Sequence, residues 1–239
     1  MTSPNLLLLS SSKFRDTGYL RHAKPILKEF LDANLSQILF IPFANAAKQY
    51  DFYEAKVTEA LKSLGVDVRS IHHASDPVAA IHSATAIAIG GGNTFALLSR
   101  LKENGLIDPI RQVVGNGTAY IGWSAGANVA CPTISTTNDM PICLPAGLDA
   151  LGLIPFQLNA HFIDGQFEGH NGESREQRIT EYLAIHPNER VVALPEGTAI
   201  IQESAQIVLR GEADGVLFTS HGRQIIKRDE ELSWILTKN

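Results

Sequence analysis

The feature that most constrains the fold is a regular alternation between short apolar runs and longer stretches with helical spacing. Runs rich in leucine or β-branched residues predict strands at 6–9, 38–43, 66–71, 85–89, 119–123 and 191–194. Segments such as 53–64 and 95–101 place apolar residues three or four positions apart, which indicates helices. This alternation predicts an α/β fold with a mostly parallel, doubly wound sheet and helices on both faces. Later runs at 199–202, 206–209 and 215–219 predict extra antiparallel edge strands near the C-terminus.

Composition narrows the class of protein. Hydrophobic residues make up 44% of the 239 positions, which is enough for one large core, so a single domain over residues 1–239 is expected. The net charge of −5 argues against a nucleic-acid partner. No apolar run is long enough for a signal peptide or a membrane span. Two cysteines, Cys131 and Cys143, cannot form a disulfide framework, which favours a cytoplasmic location.

The segment 118–130 has the pattern of a strand that runs into a helix, with Ser124 at the junction. Gly122 and Gly126 stand two residues to either side of this serine. In such a tight turn, larger side chains at those two positions would collide, and the serine oxygen is pushed out beyond the sheet. The pattern therefore predicts a nucleophile elbow in a serine hydrolase.

A glycine-rich loop at 90–93 follows another predicted strand and leads into a helix. Backbone N–H groups of Gly91 or Gly92, together with that of Ala125, would form an oxyanion hole. Two alternatives remain: a turn that only needs glycine, and a non-catalytic module that binds an anion or nucleotide while Ser124 is structural. A dinucleotide fingerprint is disfavoured because Phe95 stands where its last glycine is required.

A serine nucleophile needs a base, and histidine is the side chain whose pKa suits that task. His161 follows an apolar run and would emerge at a strand end, so it is the first candidate, with His170 second. Four earlier histidines have contexts that look solvated: His22, His72, His73 and His82. No metal site is predicted, because the spacing of His161, Asp164 and His170 matches no ligand pattern.

Two carboxylates compete to orient the base. Asp139 lies in a polar, proline-rich stretch, and Glu196 follows the predicted strand 191–194. The chain order Ser–Asp–His would resemble α/β-hydrolases, and Ser–His–Glu would resemble class I glutamine amidotransferases, which use cysteine instead. The carboxylate that does not orient His161 is available to bind the substrate's ammonium group.

Several segments, in order along nearly the whole chain, resemble the peptidase E family of aspartyl dipeptidases. The matching segments are 90–95 (Gly-Gly-Gly-Asn-Thr-Phe), 120–128 (Tyr-Ile-Gly-Trp-Ser-Ala-Gly-Ala-Asn), 136–141 (Thr-Thr-Asn-Asp-Met-Pro), 161–162 (His-Phe), 172–179 (Gly-Glu-Ser-Arg-Glu-Gln-Arg-Ile) and 194–197 (Leu-Pro-Glu-Gly). The resemblance implies a flavodoxin-like, class I glutamine amidotransferase-like fold. It also implies hydrolysis of dipeptides with an N-terminal aspartate, with Ser124 as nucleophile and His161 as base, and without a cofactor. It leaves the choice between Asp139 and Glu196 open.

Selectivity for aspartate requires a cation. Arg175 is the expected anchor, since a guanidinium can bind a carboxylate through two hydrogen bonds, with Arg178 one turn away and Asn93 as a further substrate contact. The alternative is that both arginines pair with glutamates on an exposed helix. A cyanophycinase-like enzyme acting on β-aspartyl linkages is the nearest rival activity. The expected partner is a small dipeptide, and the chain is expected to be a monomer or a small homo-oligomer.

Overall fold

The computed structural model describes residues 4–31, 37–166, 169 and 171–236. The strands are β1 (Leu6–Leu9), β2 (Gln37–Ile41), β3 (Asp67–Ser70), β4 (Ala86–Ile89), β5 (Ala119–Trp123), β6 (Gln157–Ala160), β7 (Val191–Leu194), β8 (Thr198–Glu203), β9 (Gln206–Gly211), β10 (Gly215–Thr219) and β11 (Gly222–Ile226). The α-helices are α1 (Lys24–Phe30), α2 (Tyr50–Leu61), α3 (Pro77–Ser83), α4 (Thr94–Glu103), α5 (Ile107–Gly115), α6 (Ala125–Asn128) and α7 (Arg175–Ile185).

A seven-stranded sheet forms the centre of the fold, in the order β3-β2-β4-β5-β1-β8-β9. The pairs that join β3, β2, β4, β5 and β1 are all parallel. The pairs β1–β8 and β8–β9 are antiparallel. The predicted α/β class, with a mostly parallel sheet and antiparallel strands added at its edge, is confirmed.

Helices cover both faces of this sheet. Along β1, Leu6 and Leu8 belong to one buried cluster and Leu7 and Leu9 to another, because successive side chains point to opposite faces. Helices α1 and α2 pack in the second cluster, and α3, α4 and α5 pack in the first. Among the described residues, none of the helices has the length and apolar content that a bilayer span requires.

A second sheet of four strands, in the order β11-β10-β7-β6, corrects the sequence-based picture. The runs at 191–194 and 215–219 were expected in the main sheet, but they form β7 and β10 of this separate one. In the main sheet, the position beside β1 is taken by β8. Strands β6 and β7 are parallel and are joined through α7, whose Ile179 and Leu183 pack against the second sheet.

The carboxyl ends of the parallel strands bring several loops to one edge of the main sheet. In the register of the sheet, Leu9 pairs with Trp123 and Ile89 pairs with Gly122. The residues that follow β1, β4 and β5 are therefore neighbours. This edge is where ligands bind in open α/β sheets.

Candidate active site

Ser124 stands at the turn between β5 and α6 with a strained backbone (φ 54°, ψ −113°). A Cβ added to Gly122 would collide with the carbonyl oxygen of Gly126, and one added to Gly126 would collide with that of Ile89. These close approaches give the physical reason for the two glycines. Helix α6 has only four residues, so its macrodipole contributes little at Ser124.

His161 follows β6, and its Nε2 lies 2.8 Å from Ser124 Oγ. Its backbone also has a positive φ of 57°, which is uncommon for a residue other than glycine. The backbone N–H of His161 donates to Ser10 Oγ at 3.0 Å, and the Ser10 hydroxyl donates to the Leu194 carbonyl at 2.8 Å. Buried Ser10 thus ties the ends of β6 and β7 to the end of β1.

Glu196 contacts the other ring nitrogen of this histidine. Its Oε1 lies 2.7 Å from His161 Nδ1, and the two side chains are 50% and 38% exposed. If the Nδ1–H donates to the carboxylate, the Nε2 lone pair faces the Ser124 hydroxyl. The turn that carries Glu196 is held from β1, because the Gly197 N–H donates to Ser11 Oγ at 3.3 Å.

Asp139, the competing carboxylate, has a different partner. Its Oδ2 accepts hydrogen bonds from the backbone N–H of Thr94 at 2.7 Å and from the Thr94 hydroxyl at 2.5 Å. Asp139 therefore binds the first residue of α4 rather than His161. Of the two carboxylates that the sequence left open, only Glu196 contacts the histidine ring.

The glycine-rich loop lies directly against the serine. A Cβ on Gly91 would be 3.0 Å from Ser124 Cβ, and Gly92 has a φ of 141° that an L side chain rarely adopts. The Tyr53 hydroxyl donates to the Gly91 carbonyl at 2.9 Å. Because N–H and C=O point in opposite directions across a trans peptide, this bond directs the Gly92 N–H away from Tyr53. Ala125 begins α6, where a backbone N–H has no intrahelical acceptor.

The three predicted substrate contacts have different surroundings. Arg175 is half-buried at the start of α7 and donates to Asn138 Oδ1 at 2.8 Å, and burial lowers the pKa of its guanidinium. Arg178 is exposed and lies 3.8 Å from Glu173, which is the ion pair that the alternative interpretation expected. Asn93 caps α4 through a bond from the Ala96 N–H and donates to the Met140 carbonyl at 2.8 Å.

The remaining histidines correct one expectation. His22 was expected in solvent, but both of its ring nitrogens are buried. Burial lowers its pKa, against the opposing charges of Glu196 and Glu212. The His72 side chain is only 15% exposed. His170, the second candidate for the base, lies outside the described residues.

One cluster in the described part of the chain contains side chains of the kinds that bind metal ions: Asp51 and Glu54 on α2 with His72 and His73 after β3. Their potential ligand atoms all lie within 4.8 Å of one another. Hydrogen bonds of 2.9 and 2.8 Å pair each histidine with a carboxylate. Strands β2 and β4 separate β3 from β5, so the cluster is not part of the Ser124 site.

Sequence reasoning missed a hydrogen-bonded chain that supports the site. Trp123 Nε1–H donates to the Tyr19 hydroxyl at 2.8 Å, and Tyr19 donates to the Tyr53 hydroxyl at 2.9 Å. Tyr53 in turn holds Gly91. Ser10 and Ser11 were missed as well, although polar residues directly after a buried parallel strand are a usable signal.

Comparisons with known proteins identify the family of this chain. The model of peptidase family S51 matches residues 6–210. Peptidase E of Haemophilus influenzae is 53% identical over 197 residues, which cover 82% of this chain and 90% of that protein. Peptidase E of an Escherichia coli O6 strain is 51% identical over 206 residues, or 86% and 90% of the two chains.

Solved structures are similar as well. A Listeria monocytogenes protein described as a peptidase E superposes with a TM-score of 0.65 at 26% identity, over 88% of this chain and 99% of that one. A peptidase from an acI-B1 actinobacterium gives a TM-score of 0.72 at 17% identity, over 97% of each chain, which supports the fold alone. The family match and the close relatives lead to one conclusion: this chain belongs to peptidase family S51.

Proposed function

We propose that this chain is a serine-type dipeptidase that hydrolyses dipeptides with an N-terminal aspartate. The observation that carries the proposal is the hydrogen-bonded series Glu196–His161–Ser124, with separations of 2.7 and 2.8 Å, in a chain of family S51. The relatives named peptidase E support the dipeptidase assignment over a β-aspartyl or purely binding role.

In this mechanism, Ser124 Oγ attacks the carbonyl carbon of the peptide bond while His161 Nε2 accepts its proton. His161 then donates that proton to the nitrogen of the leaving amino acid, and aspartate remains as an ester on Ser124. A water molecule, deprotonated by His161, releases the aspartate. Glu196 holds the Nδ1–H and stabilises the imidazolium that forms in each half of the reaction.

The oxyanion formed by the attack needs donors that are already in place. We assign this role to the N–H of Ala125, which follows Ser124, and to an N–H of Gly91 or Gly92, which line the cavity beside it. The bond from Tyr53 to the Gly91 carbonyl fixes the loop. This preorganisation lowers the cost of binding the charged intermediate.

Arg175 is assigned to the side-chain carboxylate of the substrate's aspartate. No carboxylate lies within ion-pair distance of Arg175 in the described part of the chain, so its charge is available. Arg178 adds positive charge nearby, and Asn93 links the glycine-rich loop to the stretch that carries Asp139. Asp139 uses Oδ2 for Thr94, which leaves Oδ1 to accept the substrate's ammonium group.

The assignment of Arg175 has a direct test. A charge-assisted pair contributes about 1.5–3 kcal/mol, so Arg175→Ala should lower kcat/KM for Asp-Leu by roughly 10- to 150-fold. The neutral analogue Asn-Leu should lose little, and Arg228→Ala, at an exposed arginine outside the site, serves as the control. Equal losses on Asp-Leu and Asn-Leu would overturn the anchor assignment.

The substrate class is tested with four peptides: Asp-Leu, Asn-Leu, β-linked Asp-Leu and Asp-Leu-Gly. We expect the wild-type protein to hydrolyse Asp-Leu faster than the other three peptides, and Ser124→Ala to hydrolyse none of the four. A preference for the β-linked peptide would support the cyanophycinase-like alternative instead.

We also propose a cytoplasmic location. We propose no nucleic-acid partner, in keeping with the net charge of −5.

A further inference from the structure

A cavity of about 420 Å³ opens beside Ser124, and the roles proposed so far do not say which part of the substrate it would hold. Ser124 and the glycine-rich loop form one wall, and the turn at 44–46 forms another. The opposite side is made by α2, through Phe52, Tyr53 and Lys56, with Tyr19 beside them. The cavity therefore connects the reacting serine to one face of a helix.

Lys56 is the single charged residue among those that line this cavity in the described structure. Its Nζ lies 4.0 Å from the centre of the Tyr19 ring. No carboxylate lies within ion-pair distance of it in residues 4–31, 37–166, 169 and 171–236. Lys56 is an exposed residue whose ammonium group is partly desolvated at the cavity wall, and this desolvation and the like charge of Lys13 both lower its pKa. An ammonium group in these surroundings gains from binding an anion.

Hydrogen bonds anchor the wall that carries Lys56. Phe52 and Lys56 are four residues apart on α2, so they lie on the same side of the helix. Between them, Tyr53 is 7% exposed and is bonded to Tyr19, Trp123 and Gly91. These bonds fix the position of α2 relative to the residue before Ser124 and to the loop beside it.

We infer that this cavity binds the leaving residue of the dipeptide, with the substrate's terminal carboxylate on the Lys56 ammonium group. The inference rests on the proposed dipeptidase function and adds a second recognition site to it. In a dipeptide the carboxylate lies one residue beyond the bond that breaks, within about 3.5 Å of chain length. Arg175 does not line this cavity, so the two cations serve different ends of the substrate.

This arrangement explains a preference for dipeptides on physical grounds. In a longer peptide, a neutral amide takes the place of the carboxylate, and the chain must continue past Lys56 and Phe52. The pairing with Lys56 is then lost, and the ammonium group is partly desolvated without compensation. Lys56 is thus a specificity-determining residue on the leaving-group side.

The test compares Asp-Leu with its C-terminal amide, Asp-Leu-NH₂, in four proteins: wild type, Lys56→Gln, Lys56→Arg and Lys62→Gln. Lys62 is the matched control, because it follows α2 and is exposed with only a 3.8 Å pair to Glu59. We expect the wild type to prefer the acid by about tenfold in kcat/KM, as for one partly solvated charge pair. Lys56→Gln should reduce that ratio to about one through loss on the acid alone. Lys56→Arg should keep most of the ratio, and Lys62→Gln all of it.

Two results would overturn the inference. The ratio of acid to amide could stay unchanged in Lys56→Gln, either because neither substrate loses or because both lose equally, and an equal loss indicates a structural role. Discrimination between Asp-Leu and Asn-Leu could be lost instead, which would place Lys56 at the first residue. Failure of the proposed function is a separate result, since the wild type would then hydrolyse neither substrate.

Discussion

Replacing Glu196 by glutamine keeps the shape of the side chain and removes the charge that faces His161. Two unit charges about 4 Å apart interact by about 1 kcal/mol in water and by about 4 kcal/mol at an effective dielectric constant of 20. Because His161 and Glu196 are 38% and 50% exposed, we expect a value between these limits, about 2 kcal/mol. That corresponds to roughly a 30-fold decrease in kcat. A glutamine amide that donates to Nδ1 would favour the wrong tautomer and increase the loss.

The assay is steady-state hydrolysis of Asp-Leu at saturating substrate, with Glu212→Gln as the control for loss of a nearby exposed carboxylate. The expected result is a lower kcat for Glu196→Gln with little change in KM, and wild-type kinetics for Glu212→Gln. A kcat within threefold of wild type would refute the reasoning, because Glu196 would then contribute no charge stabilisation to His161.

Asp139→Asn should change KM rather than kcat, the opposite of Glu196→Gln. If Oδ1 of Asp139 binds the substrate's ammonium group, its loss should raise KM by about tenfold and leave kcat largely intact. An unchanged KM with a lower kcat would show that this division of labour between the two carboxylates is wrong.

Three further predictions concern the fold and its chemistry. Gly126→Ala should lower the free energy of unfolding in urea by about 1–3 kcal/mol, since its Cβ has no room, whereas Gly115→Ala, which has open space, should not. Native protein should react with a thiol reagent at exposed Cys143 only, because burial raises the pKa of Cys131 to about 12; labelling of both thiols before unfolding would contradict this. Burial lowers the pKa of His22 in the folded state below its ordinary value near 6.5. The folded state therefore keeps its full stability above about pH 6.5 and loses stability as the pH falls below that value. His22→Leu should narrow the difference in urea midpoint between pH 7.5 and pH 5.5, and an unchanged difference would contradict the burial argument.

Local signals in the sequence were sufficient for the strands of the main sheet and for the turn at Ser124. The run at 6–9 is apolar at every position because β1 is buried on both faces, and Gly122 and Gly126 are required by close backbone approaches. Such features depend on a few neighbouring residues. They can be recognised without knowing how distant segments pair.

The partner of His161 could not be predicted, because it depends on the register of the second sheet. Ala160 pairs with Leu194 between β6 and β7, so the residues after these two strands become neighbours. Periodicity identifies a strand but carries no information about which strand lies beside it or in what register. The same limit applies to Lys56, which lies far from Ser124 along the chain and reaches the site only through the packing of α2.

The most direct test of the central claim is to treat the protein with a fluorophosphonate and measure its intact mass. We predict addition of one phosphonyl group per chain, mapped to Ser124, and its absence in Ser124→Ala. His161→Ala should be labelled far more slowly, because the base that activates the hydroxyl is missing. Labelling of Ser124→Ala at the wild-type rate, or no labelling of a wild-type protein that hydrolyses Asp-Leu, would contradict the account.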